Sequence, residues 1–149
     1  MIGDSKTKPM EILLVEDGLT DARITIYALR RSQVYHRLTL VRSVEEAMKF
    51  LNREGIFSRA PRPDLLLLDM MLPDGCGLDV LEALERWDPA NRPTVVVLTA
   101  SHDASLRERC DEHHVHDFIN KPVHESEFMR VVRAHKKLMI HSTPMLASV

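Results

Sequence analysis

A short apolar run followed by a longer stretch of helical periodicity occurs five times along this chain, and nothing else in it constrains the fold as tightly. Ile12-Leu13-Leu14-Val15 opens the series, and residues 20–31 follow with Ile24, Ala28 and Leu29 at helical spacing. Residues 38–41 make a second, weaker strand. Ser43-Val44-Glu45-Glu46 then reads as a capping box ahead of Ala47, Phe50 and Leu51. Leu65-Leu66-Leu67-Leu68 is the third strand, and residues 78–87 carry the helix face Val80, Leu81 and Leu84. Val95-Val96-Val97-Leu98 is the fourth, its β-branched residues favouring strand over helix. A polar helix over residues 106–113, a short strand at Phe118-Ile119 and a last helix from about Ser126 complete the order. That last helix puts Phe128, Val131, Val132, His135 and Leu138 on one stripe and is expected to run on through Lys136 to Ile140.

Strands that alternate with helices imply a parallel sheet with helices on both faces. The strands here are continuously apolar, as in a sheet covered on both sides. Right-handed crossovers then leave an α/β, doubly wound five-stranded parallel sheet as the natural solution. Ligands in such folds bind beyond the carboxyl ends of the strands, at the switch in strand order.

Composition removes other classes. The 149 residues suit one domain over 1–149, with a core at about 10–140 and short tails. A formal charge of −2 gives no argument for nucleic acid or a membrane surface. No apolar run approaches the ~20 residues of a membrane span. Residues 1–10 are polar, so no signal peptide is expected. Cys76 and Cys110 lack CxxC spacing and read as two thiols in a reducing cytoplasm.

Polar groups punctuate the strand ends. Glu16 and Asp17 follow the first strand, Asp69 the third, Thr99 the fourth and Lys121-Pro122 the fifth. Glu16, Asp17 and Asp69 would converge as carboxylates, and clustered carboxylates ask for a cation. Oxygen-only ligands select a hard ion such as Mg²⁺. Asp69 can attack a phosphoryl group to give an aspartyl phosphate. Lys121 would place a point charge on one phosphoryl oxygen, and the Thr99 hydroxyl would donate a hydrogen bond to another.

These motifs together resemble the receiver domain of bacterial response regulators. They are LLVED (residues 13–17), LLLLDMMLPDGCG (65–77), VVVLTAS (95–101) and FINKP (118–122), and the resemblance spans about residues 10–139. Asp69, Thr99 and Lys121 follow one another at the family's spacings of thirty and twenty-two positions. The resemblance implies a flavodoxin-like strand order 2-1-3-4-5 and a phospho-acceptor at Asp69. It makes Asp17 a direct Mg²⁺ ligand, Glu16 an acid acting through water, and the Met71 backbone carbonyl a further ligand. Thr99 and Phe118 match the family's switch pair, and the Lys121-Pro122 bond is cis in the family. A histidine kinase or phosphotransfer protein would donate the phosphoryl group, Thr99 would move toward it, and Phe118 would turn inward. Autodephosphorylation with Mg²⁺ and water is implied as well. Ser101 and Met71 stand where the family tunes phosphate lifetime.

Residues 58–81 and 92–103 also resemble the small receiver-only regulators that partner bacterial phytochromes, which implies a phytochrome-type kinase. Leu138, Met139 and Ile140 on an extended last helix could form a homodimer contact. No DNA-binding segment is recognisable.

Rival readings make distinct demands. A phosphatase-type hydrolase would want a second acid two residues after the nucleophile, where Met71 stands. A phosphorylation-independent pseudo-receiver acting as a binding module would not need the full set of site residues. A flavodoxin-like cofactor carrier would want a phosphate-cradling loop after the first strand. Phe118 reads equally well as plain core. His113, His114 and His116 resemble a metal cluster in composition, though adjacent residues do not share a helix face. Arg59, Arg62 and Arg92 read as cations solvating loops.

Overall fold

The structure is a computed structural model that describes residues 8–100 and 104–140. Five strands form one parallel sheet: β1 (Met10–Val15), β2 (His36–Val41), β3 (Leu65–Asp69), β4 (Thr94–Thr99) and β5 (Asp117–Asn120). Their order is β2-β1-β3-β4-β5, as expected. The helices are α1 (Leu19–Arg31), α2 (Val44–Leu51), α3 (Leu78–Glu85), α4 (Ala104–Asp111), α5 (Glu125–Ala134) and α6 (Lys136–Met139). A short antiparallel pair, Met71–Leu72 with Gly75–Cys76, precedes α3.

The period of two along each strand sorts the apolar runs onto two cores. Ile12, Leu14, Leu65, Leu67, Val96 and Leu98 face Ala28 and Leu29 of α1 and Phe128, Val131 and Val132 of α5. Leu13, Val15, Leu66, Leu68, Val95 and Val97 face Ala47 and Phe50 of α2, Val80, Leu81 and Leu84 of α3 and Cys110 of α4. All four β3 leucines are fully buried, each worth about 1.5–3 kcal/mol of apolar burial. No face of this strand is left for solvent, which is why its sequence does not alternate.

The capping box at α2 forms in part. Ser43 Oγ accepts from Glu46 N–H at 3.1 Å, whereas Glu46 Oε1 accepts from Arg42 N–H rather than from Ser43. Asp74, thirty residues downstream, adds a cap that local pattern could not reveal: its two carboxylate oxygens accept from Val44 N–H and Glu45 N–H. Those backbone hydrogen bonds hold the Asp74 carboxyl below its usual pKa. Arg92 also differs from its reading as a loop solvator. Its Nε and Nη2 donate to the Leu84 and Glu85 carbonyls, capping the end of α3.

The last helix is not continuous. His135 adopts extended backbone (φ −122°, ψ 106°) and separates α5 from α6. The cause is tertiary: His135 Nε2 lies 3.0 Å from Asp117 Oδ2, at the start of β5. Leu138 is then fully buried against the α1/α5 core and Met139 packs beside it, leaving Ile140 exposed. The three apolar residues expected to make a dimer stripe therefore do not share one exposed face.

Asp117 gives this corner a pH dependence. Burial acts to raise its pKa, but hydrogen bonds from Arg130, His135 and the Phe118 N–H outweigh burial and hold it below the usual 3.8. A depressed acid stabilises the fold above its unfolded pKa, and the contribution is lost as pH falls through the lower folded value. We expect Asp117→Asn to cost about 1.5–3 kcal/mol at neutral pH, the worth of hydrogen bonds to a charged group. Urea unfolding from pH 7 to 2 would show it, with the gap to wild type closing below about pH 4.

Candidate functional site

The site lies at the carboxyl edge of the sheet. Asp69 ends β3, Thr99 ends β4, Glu16 follows β1 and Lys121 follows β5. Asp69, Thr99 and Glu16 are buried. Lys121 is fixed in place by its backbone N–H, which donates to the Thr99 carbonyl at 2.8 Å, and the Lys121-Pro122 peptide is cis.

Lys121 Nζ is the centre of the arrangement. It lies 2.7 Å from Glu16 Oε1, 2.9 Å from Asp69 Oδ2 and 3.4 Å from Asp21 Oδ2. Asp69 Oδ1 accepts from the Met71 N–H at 3.0 Å. Burial alone would lower the Lys121 pKa, but hydrogen bonds and charge from Glu16 and Asp69 more than reverse this, so the ammonium stays protonated. Glu16 moves the opposite way from an ordinary ion-paired acid. Burial raises its pKa first, the neighbouring Asp69 raises it further, and Lys121 opposes both only in part. One cation serves several carboxylates, so the cluster keeps a surplus of negative charge.

The expected convergence of Glu16, Asp17 and Asp69 is incomplete. Asp17 is engaged by Arg42 instead, Nη2 to Oδ1 at 3.7 Å, while the same guanidinium donates to the Asp17 carbonyl at 2.9 Å. Among the described residues no three His, Cys, Asp or Glu side chains are placed to hold a metal ion. The donor chemistry nevertheless fits a hard divalent cation. Glu16 and Asp69 bring buried carboxylate oxygens to one cleft with a single ammonium between them, an all-oxygen donor set with negative charge left over.

Two residues join the site that strand-end reasoning did not single out. Asp21 sits in the first turn of α1, a position where acids are common because they meet the helix's positive end. Arg42, one residue beyond β2, has no local signal at all. Phe118 is half-buried on β5, packing beside the α2–α4 core, with the Arg107 guanidinium 4.6 Å from its ring centroid. The Met71 side chain is exposed. Ser101 lies outside the described residues.

The histidine group is elsewhere. His113 Nδ1 pairs with Glu85 Oε1 at 2.7 Å, and His116 Nδ1 accepts from the Val95 N–H at 3.0 Å. Both line, with His114, a cavity of about 190 Å³ beside the start of β4, at the opposite edge of the sheet. They hold structure there and are not placed as a metal trio.

Gly77 presses against the backbone that presents Asp69. A Cβ there would meet Met70 Sδ at 2.7 Å, the Asp69 carbonyl oxygen at 3.1 Å and Met70 Cα at 3.2 Å. Met70 is buried and the other two atoms are backbone, so little can yield. Gly77→Ala should therefore destabilise by about 1–3 kcal/mol in urea melts, as overpacking does.

Residues 12–133 match the family model for the response regulator receiver domain. The chain belongs to this family. The chain is 31% identical over 147 residues to the response regulator Rcp1 of Synechocystis sp., covering 99% of this chain and 100% of Rcp1. The structure of the Mn(2+)-bound form of Rcp1 aligns with a TM-score of 0.72 at 33% identity, over 91% of this chain and 97% of that one. The phosphorylated cyanobacterial phytochrome response regulator RcpA aligns with a TM-score of 0.72 at 37% identity, over 85% of this chain and 91% of that one. A receiver domain of the sensor histidine kinase PA1611 of Pseudomonas aeruginosa, with magnesium in its active-site cleft, aligns at 27% identity and a TM-score of 0.68, over 85% of this chain and 97% of that one. The receiver is thus homologous to two-component response regulators. No described helix is long and apolar enough to cross a membrane.

Proposed function

We propose that this receiver is a phosphorylation switch in which Asp69 accepts a phosphoryl group from a phosphohistidine. One observation carries the reading: in a receiver-family chain, the buried Asp69 has an oxygen 2.9 Å from an ammonium held protonated at the edge where the strands end. An Asp69 oxygen forms the new O–P bond as the P–N bond of the donor breaks, and the leaving imidazole takes the electron pair. Lys121 remains charged and donates to a phosphoryl oxygen; it does not act as a base. The Thr99 hydroxyl, at the end of the adjacent strand, donates to another. Glu16, Asp17, Asp69 and the Met71 carbonyl would hold Mg²⁺, which when bound supplies charge neutralisation at the phosphoryl oxygens. For Asp17 this requires release from Arg42, an exposed pair of the kind that contributes little stability.

Phosphorylation then biases two packings of Thr99 and Phe118, and the face built from α4, β5 and α5 reports the bias. Water attack on the acyl phosphate resets the switch. The similarity to the cyanobacterial phytochrome response regulator RcpA supports a phytochrome-type histidine kinase as donor, acting in the cytoplasm.

Intact-mass measurement after incubation with acetyl phosphate tests this reading. A phosphoryl adduct that needs Mg²⁺ and is absent in EDTA is expected. No adduct on folded protein sampled within seconds would overturn it in favour of a binding module that works without phosphorylation. Faster transfer from a phytochrome-type kinase than from an unrelated histidine kinase is expected of the partner assignment.

A further inference from the structure

Helix α4 has an unusual grip on the sheet. Among its described side chains only Cys110 is buried; Ala104, Ser105, Arg107, Glu108, Arg109 and Asp111 are exposed. Arg107 nonetheless has a defined partner. Its guanidinium lies over the Phe118 ring, 4.6 Å from the centroid, inside the ~6 Å reach of a cation–π contact.

The Phe118 backbone is fixed independently. It pairs with Val97 in the sheet register, its N–H donates to Asp117 Oδ1 at 2.8 Å, and its carbonyl accepts from Arg130 Nη2 at 3.0 Å. Only the ring is left to move, and Arg107 occupies its face. We infer that Arg107 is a positioning residue that latches the Phe118 ring in its resting orientation and thereby sets how much phosphoryl-site occupancy is needed to flip the switch. The inference rests on the phosphorylation reading and adds a residue to it.

The physics gives a direction. A contact present in only one of two states biases the equilibrium by its full worth. Turning the ring inward breaks the contact with Arg107. Removing the guanidinium therefore lowers the threshold for switching, and an exposed cation–π contact corresponds to a factor of about two to five.

The test uses the full chain with 4-fluorophenylalanine incorporated, titrated with beryllofluoride and Mg²⁺ as the phosphoryl mimic and followed by fluorine NMR at Phe118. Arg107→Ala and Arg107→Gln should reach half-saturation at about two- to five-fold less beryllofluoride than wild type. Arg107→Lys, which keeps a cation, should return toward wild type, and Arg109→Ala, exposed on the same helix, should not differ from it. An unchanged midpoint in Arg107→Ala, with wild type binding normally, overturns the latch and leaves the phosphorylation reading intact. An equal shift in Arg109→Ala, or no recovery with lysine, assigns the effect to helix stability and also overturns the latch. Failure of the wild type to bind beryllofluoride at all would sink the phosphorylation reading, and the latch with it.

Discussion

Asp69→Asn should abolish the phosphoryl adduct completely while leaving the protein folded. The amide keeps one oxygen where the carboxylate has two, so it can accept from the Met71 N–H or from Lys121 but loses one of the two hydrogen bonds. It also removes one of the carboxylates that compete for Lys121, whose mutual proximity is part of what raises the Glu16 pKa. Relief of that repulsion offsets the lost hydrogen bond, so folding stability is expected to change by less than about 1.5 kcal/mol even as phosphorylation disappears. Intact mass and a urea melt on the same sample separate the two effects. An adduct that persists on the Asn variant would place the acceptor elsewhere.

Lys121→Met should be costly in two ways. The buried Glu16 and Asp69 would lose the ammonium at 2.7 and 2.9 Å. Breaking a buried ion pair by removing one partner typically costs about 3–5 kcal/mol, because the other charge stays desolvated. The loss should be largest in EDTA, and Mg²⁺ should restore more stability to the variant than it adds to wild type. Phosphorylation from acetyl phosphate should slow by about 10²–10³-fold, the range for deleting one donor to a developing charge. Urea unfolding with and without Mg²⁺, and adduct formation over time, check both. Wild-type stability in EDTA would contradict the charge balance drawn at this site.

The sheet was legible because its strands are buried on both faces. Runs such as Leu65-Leu66-Leu67-Leu68 and Val95-Val96-Val97-Leu98 have no alternative as amphipathic elements, and their alternation between the two cores follows from pleating. The strand-end residues Asp69, Thr99 and Lys121 were legible for the same reason, since topology alone carries them to one edge.

What was not legible depends on partners distant in sequence. The break at His135 comes from a hydrogen bond to Asp117, eighteen residues upstream, overriding an unbroken helical stripe. The Arg42–Asp17 pair spans twenty-five residues, and the Asp74 cap on α2 about thirty. The hairpin before α3 has two residues per strand, too few for any period to register. The three histidines look alike in sequence, but their neighbours, Glu85 for one and the Val95 N–H for another, give them separate structural tasks.

The most direct test of the central claim is to locate the phosphoryl group. An aspartyl phosphate is reduced by borohydride to homoserine, a permanent mark that tandem mass spectrometry can place. After brief incubation with acetyl phosphate and Mg²⁺, homoserine is expected at position 69 alone. Homoserine at Asp17, Asp21 or any other acid, or none on protein that carries the phosphoryl mass, would contradict it.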